Sequence, residues 1–118
     1  MNSEFGNRLK GLMDEYAHNV YAVTKNFPKD KMYGIISQIR RVALSVILNY
    51  IEGYSRTRKL VQINFYEISY GSLQESKYLI KFSFKENYLS EIGYQKLSLL
   101  AEEIGAMLWT IIKNMKKS

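Results

Sequence analysis

Cysteine is absent from the 118-residue chain. This excludes disulfide staples and thiolate metal sites, and is compatible with a reducing compartment. Proline occurs once, at Pro28, and glycine seven times, so few breaks are built in and the composition is not that of a disordered or low-complexity segment. There is one histidine and one tryptophan. No apolar run approaches the ~20 residues needed to span a bilayer, because Arg40, Arg41 and Glu52 interrupt the longest one. The start carries Glu4 and no apolar run before Arg8, unlike a secretory signal. These absences predict a soluble, cytoplasmic protein.

What is present is apolar and basic. Apolar residues make up 47% of a chain of single-domain size, long enough for a real core and short of the length at which cores split. Seventeen lysines and arginines stand against eleven acids, a formal charge of +6 with a pI near 9.5, which favours polyanionic partners. The charge is uneven. Between residues 40 and 59 lie Arg40, Arg41, Arg56, Arg58 and Lys59 against Glu52 alone, and the tail adds Lys113, Lys116 and Lys117. The clustering suits phosphate contacts, although for the tail ordinary dipole compensation at a helix C-terminus is the simpler account.

Helical period dominates, and no segment shows strict alternation bounded by turn residues. The pattern predicts an all-α, antiparallel up-down-up-down four-helix bundle as a single domain over 1–118, with helices at about 7–25, 30–53, 59–84 and 90–116. In the first, Leu9, Leu12 or Met13, Tyr16, Val20 and Val23 recur at three and four residue steps. Phe27 and Pro28 mark the turn, and Asp30 is placed to cap the second helix at its positive end. Gly53 is expected to end that helix as a left-handed cap, before the basic loop Tyr54 to Lys59. In the third, Val61, Phe65, Ile68, Ser72, Glu75, Leu79 and Phe82 form the expected seam, with Gly71 marking a close helix crossing. Ser90 is the expected cap of the fourth, where Leu97, Leu100, Ile104, Met107 or Leu108, Ile111 and Met115 repeat.

The second helix carries two apolar faces. Ile35, Ile39, Val42, Val46 and Asn49 line one, and Ile36, Ala43, Ile47, Tyr50 and Ile51 an adjoining one. A stripe that wide exceeds what a four-helix monomer usually covers, so part of it is expected to face another subunit. Within it, Arg40 and Arg41 cannot both be buried without partners, since burying an unpaired charge costs several kcal/mol. The expected arrangement is a structural polar network in which one of them meets Glu52 or Glu75, Gln38, Ser45 and Asn49 satisfy remaining hydrogen bonds, and the other arginine is exposed.

Catalysis has little to work with. His18 stands alone, amid Tyr16, Asn19 and Tyr21, with no nucleophile and base gathered around it. The di-iron bundles need a Glu-x-x-His on each of two helices; with one histidine this chain has only Glu15 to His18, and Glu52 with Glu75 reads as a pair of ion-pair partners rather than metal ligands. Phosphate-loop and dinucleotide glycine patterns are missing. No catalytic, cofactor or metal site is expected. Tyr50, Tyr54, Tyr66 and Tyr70 lie near the basic loop in sequence, either as stacking surfaces for single-stranded bases or as core and interface fillers.

One family resemblance runs through these positions. Phe27-Pro28, Tyr33-Gly34, Gln38-Ile39-Arg40-Arg41, Ser45, Asn49 and Glu52-Gly53, then Tyr70-Gly71-Ser72-Leu73, Glu75 and Glu103-Ile104-Gly105 through Leu108, resemble the small four-helix-bundle proteins encoded in intervening sequences of 23S ribosomal RNA genes. The likeness spans roughly residues 9 to 115. The chain departs from the family pattern at Ile47 and Ile51, where a proline and an alanine are usual. The resemblance implies a non-enzymatic homo-oligomer, by analogy a pentamer. The analogy is to a related accessory protein of diversity-generating retroelements, which looks like a basic pentameric barrel that binds nucleic acid and its reverse transcriptase.

Two functional expectations stand together. One is a basic, ring-like homo-oligomer that binds RNA or DNA through phosphate contacts at Arg40, Arg41, Arg56, Arg58 and Lys59. The other is a scaffold for a protein partner, such as a reverse transcriptase or a ribosome-associated factor, with no direct nucleic-acid contact.

Overall fold

Spaced apolar residues wind the chain into four α-helices, with no strand among the described residues. The computed structural model describes residues 3–118, side chains at positions 3, 31 and 32 excepted. Helix α1 spans Ser3–Thr24 and buries Leu9, Met13, Tyr16, Ala17 and Val20, successive members of one helical stripe. It stops at the Phe27–Pro28 break, where the amides of Asn26 and Phe27 donate to the Val23 and Thr24 carbonyls at 3.1 and 3.2 Å. Phe27 turns inward and plugs the end of the core against Tyr88, with ring centroids 5.7 Å apart.

The second helix does not begin as a regular one at position 30. A 3-10 turn, Lys29–Lys31, and a π-helical turn, Met32–Ile36, precede α2, Ser37–Tyr54. Gly53 is not a left-handed cap either, since among the described residues no glycine has positive φ. It is buried inside α2 because a Cβ there would lie 2.7 Å from the Tyr66 ring. The glycine makes room for an aromatic from the facing helix.

Helix α3 spans Lys59–Lys85, and the residues it buries are Ile63, Tyr66, Ser69, Leu73, Ser76, Ile80 and Ser83. This is not the expected seam. Val61, Phe65, Ser72 and Leu79 are half-buried, and Ile68, Glu75 and Phe82 are exposed, so the inward face is rotated toward a line of serines. Each serine hydroxyl is satisfied: Ser69 donates to the Val46 carbonyl at 2.6 Å, Ser76 to Leu73 at 2.7 Å and Ser83 to Leu79 at 2.8 Å. The Tyr16 hydroxyl reaches Ser76 Oγ at 2.7 Å, a polar link from α1 to α3 through the core. Gly71 marks no crossing, because nothing lies within 4 Å of where its Cβ would be.

At the end of α3, Asn87 takes φ 63°, and the amides of Tyr88 and Asn87 return to the Ser83 and Phe84 carbonyls at 2.9 and 3.0 Å. This double bond pattern is a Schellman stop, and asparagine tolerates its left-handed position. Helix α4, Glu91–Lys117, is capped by Ser90, whose Oγ accepts the Gly93 amide at 3.1 Å. It buries Leu97, Ala101, Ile104, Gly105, Leu108, Ile111 and Ile112.

Helices α1 and α3 each pack on both α2 and α4, giving a four-helix bundle of 46 × 24 × 18 Å. Contacts between α2 and α3 run in inverse order: Gln38 with Glu75, Ser45 with Ser72, Val46 with Ser69, and Gly53 against Tyr66. Between α3 and α4 the same holds, from Lys77 with Glu102 to Glu67 with Lys116. Among the described residues, no helix is long and apolar enough to cross a membrane.

Candidate functional site

The two arginines of α2 take different places. Arg40 is half-buried and turns toward the end of α1. Its Nε donates to Thr24 Oγ1 at 2.8 Å, Nη2 reaches the Tyr21 carbonyl at 3.5 Å, and the guanidinium lies 4.6 Å from the Tyr21 ring centroid. A cation at the negative end of a helix is favourably placed, so Arg40 needs no acid partner, and it is not left exposed. Arg41 is exposed and meets Glu75 at 3.8 Å, while Gln38 Nε2 donates to the same carboxylate at 2.8 Å.

The residues expected to form one polar network fall into three groups. Gln38, Arg41 and Glu75 make the first. In the second, Asn49 Nδ2 donates to the carbonyl and to Oγ of Ser45, each at 2.9 Å, and Ser45 Oγ lies 2.8 Å from Ser72 Oγ across to α3. In the third, Glu52 accepts Arg56 at 3.0 Å one turn on. Glu52 and Glu75 do not face each other, because Glu75 lies opposite Gln38, fourteen residues before Glu52 in the chain, or ~21 Å of helix. Among the described residues, no group of three or more His, Cys, Asp or Glu is placed to hold a metal ion. His18 sits exposed beside Asp14 at 3.4 Å.

The basic side chains converge at one end of the bundle. Arg56 stands over the Phe65 ring at 5.2 Å, Arg58 is the exposed residue preceding α3, and Lys59 Nζ donates to the Ser118 carbonyl at 2.6 Å. That last contact brings the α2–α3 loop to the tail, and so to exposed Lys113, Lys116 and Lys117. Helices α3 and α4 are both 27 residues long, which is why the end of one returns to the start of the other. In the sequence the loop and tail cations are two separate runs; the equal lengths of α3 and α4 are the signal that joins them. Arg41 is not part of this pole, lying thirteen residues before the end of α2 at Tyr54, or ~20 Å of helix.

Beside the pole lies an aromatic cluster. Tyr50 stacks on Tyr66 at 5.3 Å and tilts against Tyr54 at 6.4 Å. Burial pushes the Tyr66 hydroxyl up to about 12, with Tyr50 and Tyr54 adding to it, and raises Tyr50 for the same first cause. Tyr50 and Tyr66 are core residues, so neither is available to stack on a base; Tyr54 is exposed and Tyr70 half-buried. Trp109, unremarked in the sequence, rests on Tyr70 with ring centroids 5.6 Å apart.

The pattern of the 23S rRNA-intervening sequence protein family matches residues 11–110, most of this bundle. The chain belongs to that family. A solved structure, described as a protein with unknown function from the S23 ribosomal protein family of Bacteroides thetaiotaomicron, has a TM-score of 0.85 and 22% sequence identity to this chain. The match covers 92% of this chain and 98% of that one. At that identity the likeness carries the fold alone. No curated protein matches the chain. Two surface features of this member stand out, the basic pole and the outward apolar side of α2. On that side Leu44, Leu48 and Ile51 stand at four and three residue steps, 36%, 58% and 44% exposed.

Proposed function

We propose that the protein is a non-enzymatic, basic helical bundle of up-down-up-down topology that assembles as a ring-like homo-oligomer and binds RNA or DNA through phosphate contacts. The observation that carries the binding is the meeting of Arg56, Arg58 and Lys59 with Lys113, Lys116 and Lys117 at one end of the molecule. Only Arg56 and Lys116 of these six are ion-paired to acids among the described residues. A surface of this kind neutralises phosphates without reading sequence. Arg40 is excluded from the contact set by its inward hydrogen bonds, and Arg41 forms at most a separate contact outside the pole.

The assembly rests on the apolar side of α2, which the chain's own helices leave open. The family resemblance implies five copies, which would carry about +30 formally, and linked weak sites raise apparent affinity without new contacts. Replacing Arg56, Arg58 and Lys59 together by glutamine is expected to weaken RNA binding and to flatten its salt dependence. A polyanion-binding protein with six to ten phosphate contacts loses roughly 10³ to 10⁵ in affinity between about 50 and 200 mM salt. Wild-type affinity that does not change across that range overturns the reading. It would leave the alternative, a scaffold for a protein partner, to account for the open apolar side of α2.

A further inference from the structure

Four contacts bridge the α3–α4 groove in succession. From mid-helix toward the basic pole they are Lys77 Nζ to Glu102 at 2.9 Å, the Tyr70 ring on Trp109, Lys116 Nζ to Glu67 at 2.6 Å, and Lys59 Nζ to the Ser118 carbonyl at 2.6 Å. Their spacing puts Glu67, Tyr70 and Lys77 on one face of α3, and Glu102, Trp109 and Lys116 on one face of α4. An aromatic pair therefore sits between two ion pairs, on the surface.

Trp109 is 51% exposed. One side of the indole is fixed by Tyr70 at a 43° tilt, and the rest faces solvent. One turn further along α4 is Lys113, which makes no ion pair among the described residues, and Lys116 follows, ~10 Å from Trp109 along the helix. A rigid aromatic face leading into a row of cations is the arrangement that holds unpaired bases and their backbone.

We propose that Trp109, backed by Tyr70, stacks an unpaired base of single-stranded nucleic acid whose phosphates pass over Lys113 and Lys116 to the Arg58–Lys59 loop. The assignment rests on the nucleic-acid reading above and adds to it a preference for single strands. A second copy of the chain fits the place less well. Charged pairs close the aromatic island at both ends, whereas a stable interface needs ~800 Å² from each partner, and the larger apolar face is on α2.

Trp109 is the only tryptophan, so its emission reports on this site alone. The full chain is titrated at low salt with an oligoadenylate single strand and, separately, with a mixed-sequence duplex of the same length. The single strand is expected to quench Trp109 emission, and the duplex to bind without quenching. Trp109→Leu should weaken the single strand about tenfold or more, leave the duplex unchanged, and keep its wild-type sedimentation; Trp109→Phe should recover part of the loss. Equal affinities for both strands, unchanged emission and an indifferent Trp109→Leu variant overturn the stacking site while leaving phosphate binding intact. Failure of both nucleic acids to bind overturns the two proposals together. A variant that sediments as a smaller species with no change in emission reassigns Trp109 to self-association and overturns the stacking site.

Discussion

A single methyl group distinguishes two glycines that look alike in the sequence. Gly71→Ala adds a Cβ where nothing lies within 4 Å, so the exposed middle of α3 should gain the ~1 kcal/mol that alanine holds over glycine in a helix. Gly53→Ala makes the same gain but sets its Cβ 2.7 Å from Tyr66 and 3.1 Å from Phe65 Cβ. Tyr66 is buried and stacked on Tyr50, so it cannot swing away, and overpacking costs about 1–3 kcal/mol. Urea unfolding should show the first variant stabilised and the second destabilised. The same tyrosines set an alkaline limit. Their hydroxyls are held neutral by burial, Tyr66 up to about 12 against an ordinary 10.0, and Tyr50 Oη has no hydrogen-bond partner among the described residues. Below the ordinary value folded and unfolded chains hold these protons alike. Above it the unfolded chain releases protons that the fold retains, so stability falls as pH rises from about 10 toward 12. Urea midpoints measured across that range should drop for the wild type and less for Tyr66→Phe.

The helices differ in how plainly their sequences declare an inward face. In α4 the buried positions are apolar nearly throughout, and the repeat of Leu97, Ile104, Leu108 and Ile111 was legible. In α3 it was not, because Ser69, Ser76 and Ser83 recur every seven residues on the buried side while Phe65, Ile68 and Phe82 stand on an adjoining one. Hydrophobic periodicity locates a greasy face but not whether the chain itself covers it. The serines are small enough to let α3 approach the α2 backbone, as the 2.6 Å bond from Ser69 to the Val46 carbonyl requires. Ser69→Ala should therefore cost about 1 kcal/mol, the net worth of the hydrogen bond. Ser69→Leu should cost more, about 1–3 kcal/mol, by prising the helices apart. If thermal unfolding finds the leucine variant as stable as wild type, the close approach is not what selects serine there. The loop half of the basic pole was likewise legible, since its cations are adjacent in sequence. The tail half depended on where α4 ends relative to Lys59, which is a property of two helix lengths taken together.

At the scale of the whole molecule, the decisive quantity is how much apolar surface four helices can cover. Helix α2 has neighbours on the side of Ile39, Val42, Ala43 and Val46, all buried, and none over Leu44, Leu48 and Ile51. Leaving these about a third to three-fifths in water forfeits roughly 25 cal/mol for each Å² that a second copy would cover. The two faces read from the sequence are buried or half-buried within the bundle except at Ile51, so it is a different row, Leu44 and Leu48 with Ile51, that becomes a prediction about molecular size. Leu48, 58% exposed, contributes little to its own bundle, so Leu48→Asp should leave helicity and the unfolding midpoint of the isolated chain close to wild type. It should also place an unpaired charge in the contact between copies, at a cost of several kcal/mol per interface. Sedimentation at micromolar concentration should then show a larger wild-type species and a monomeric variant. Because a monomer carries one basic pole and a ring several, the variant should also lose affinity for long RNA while binding short oligonucleotides as before. A wild-type chain that sediments as a monomer would remove the ring from the account, and the basic pole would then have to bind alone.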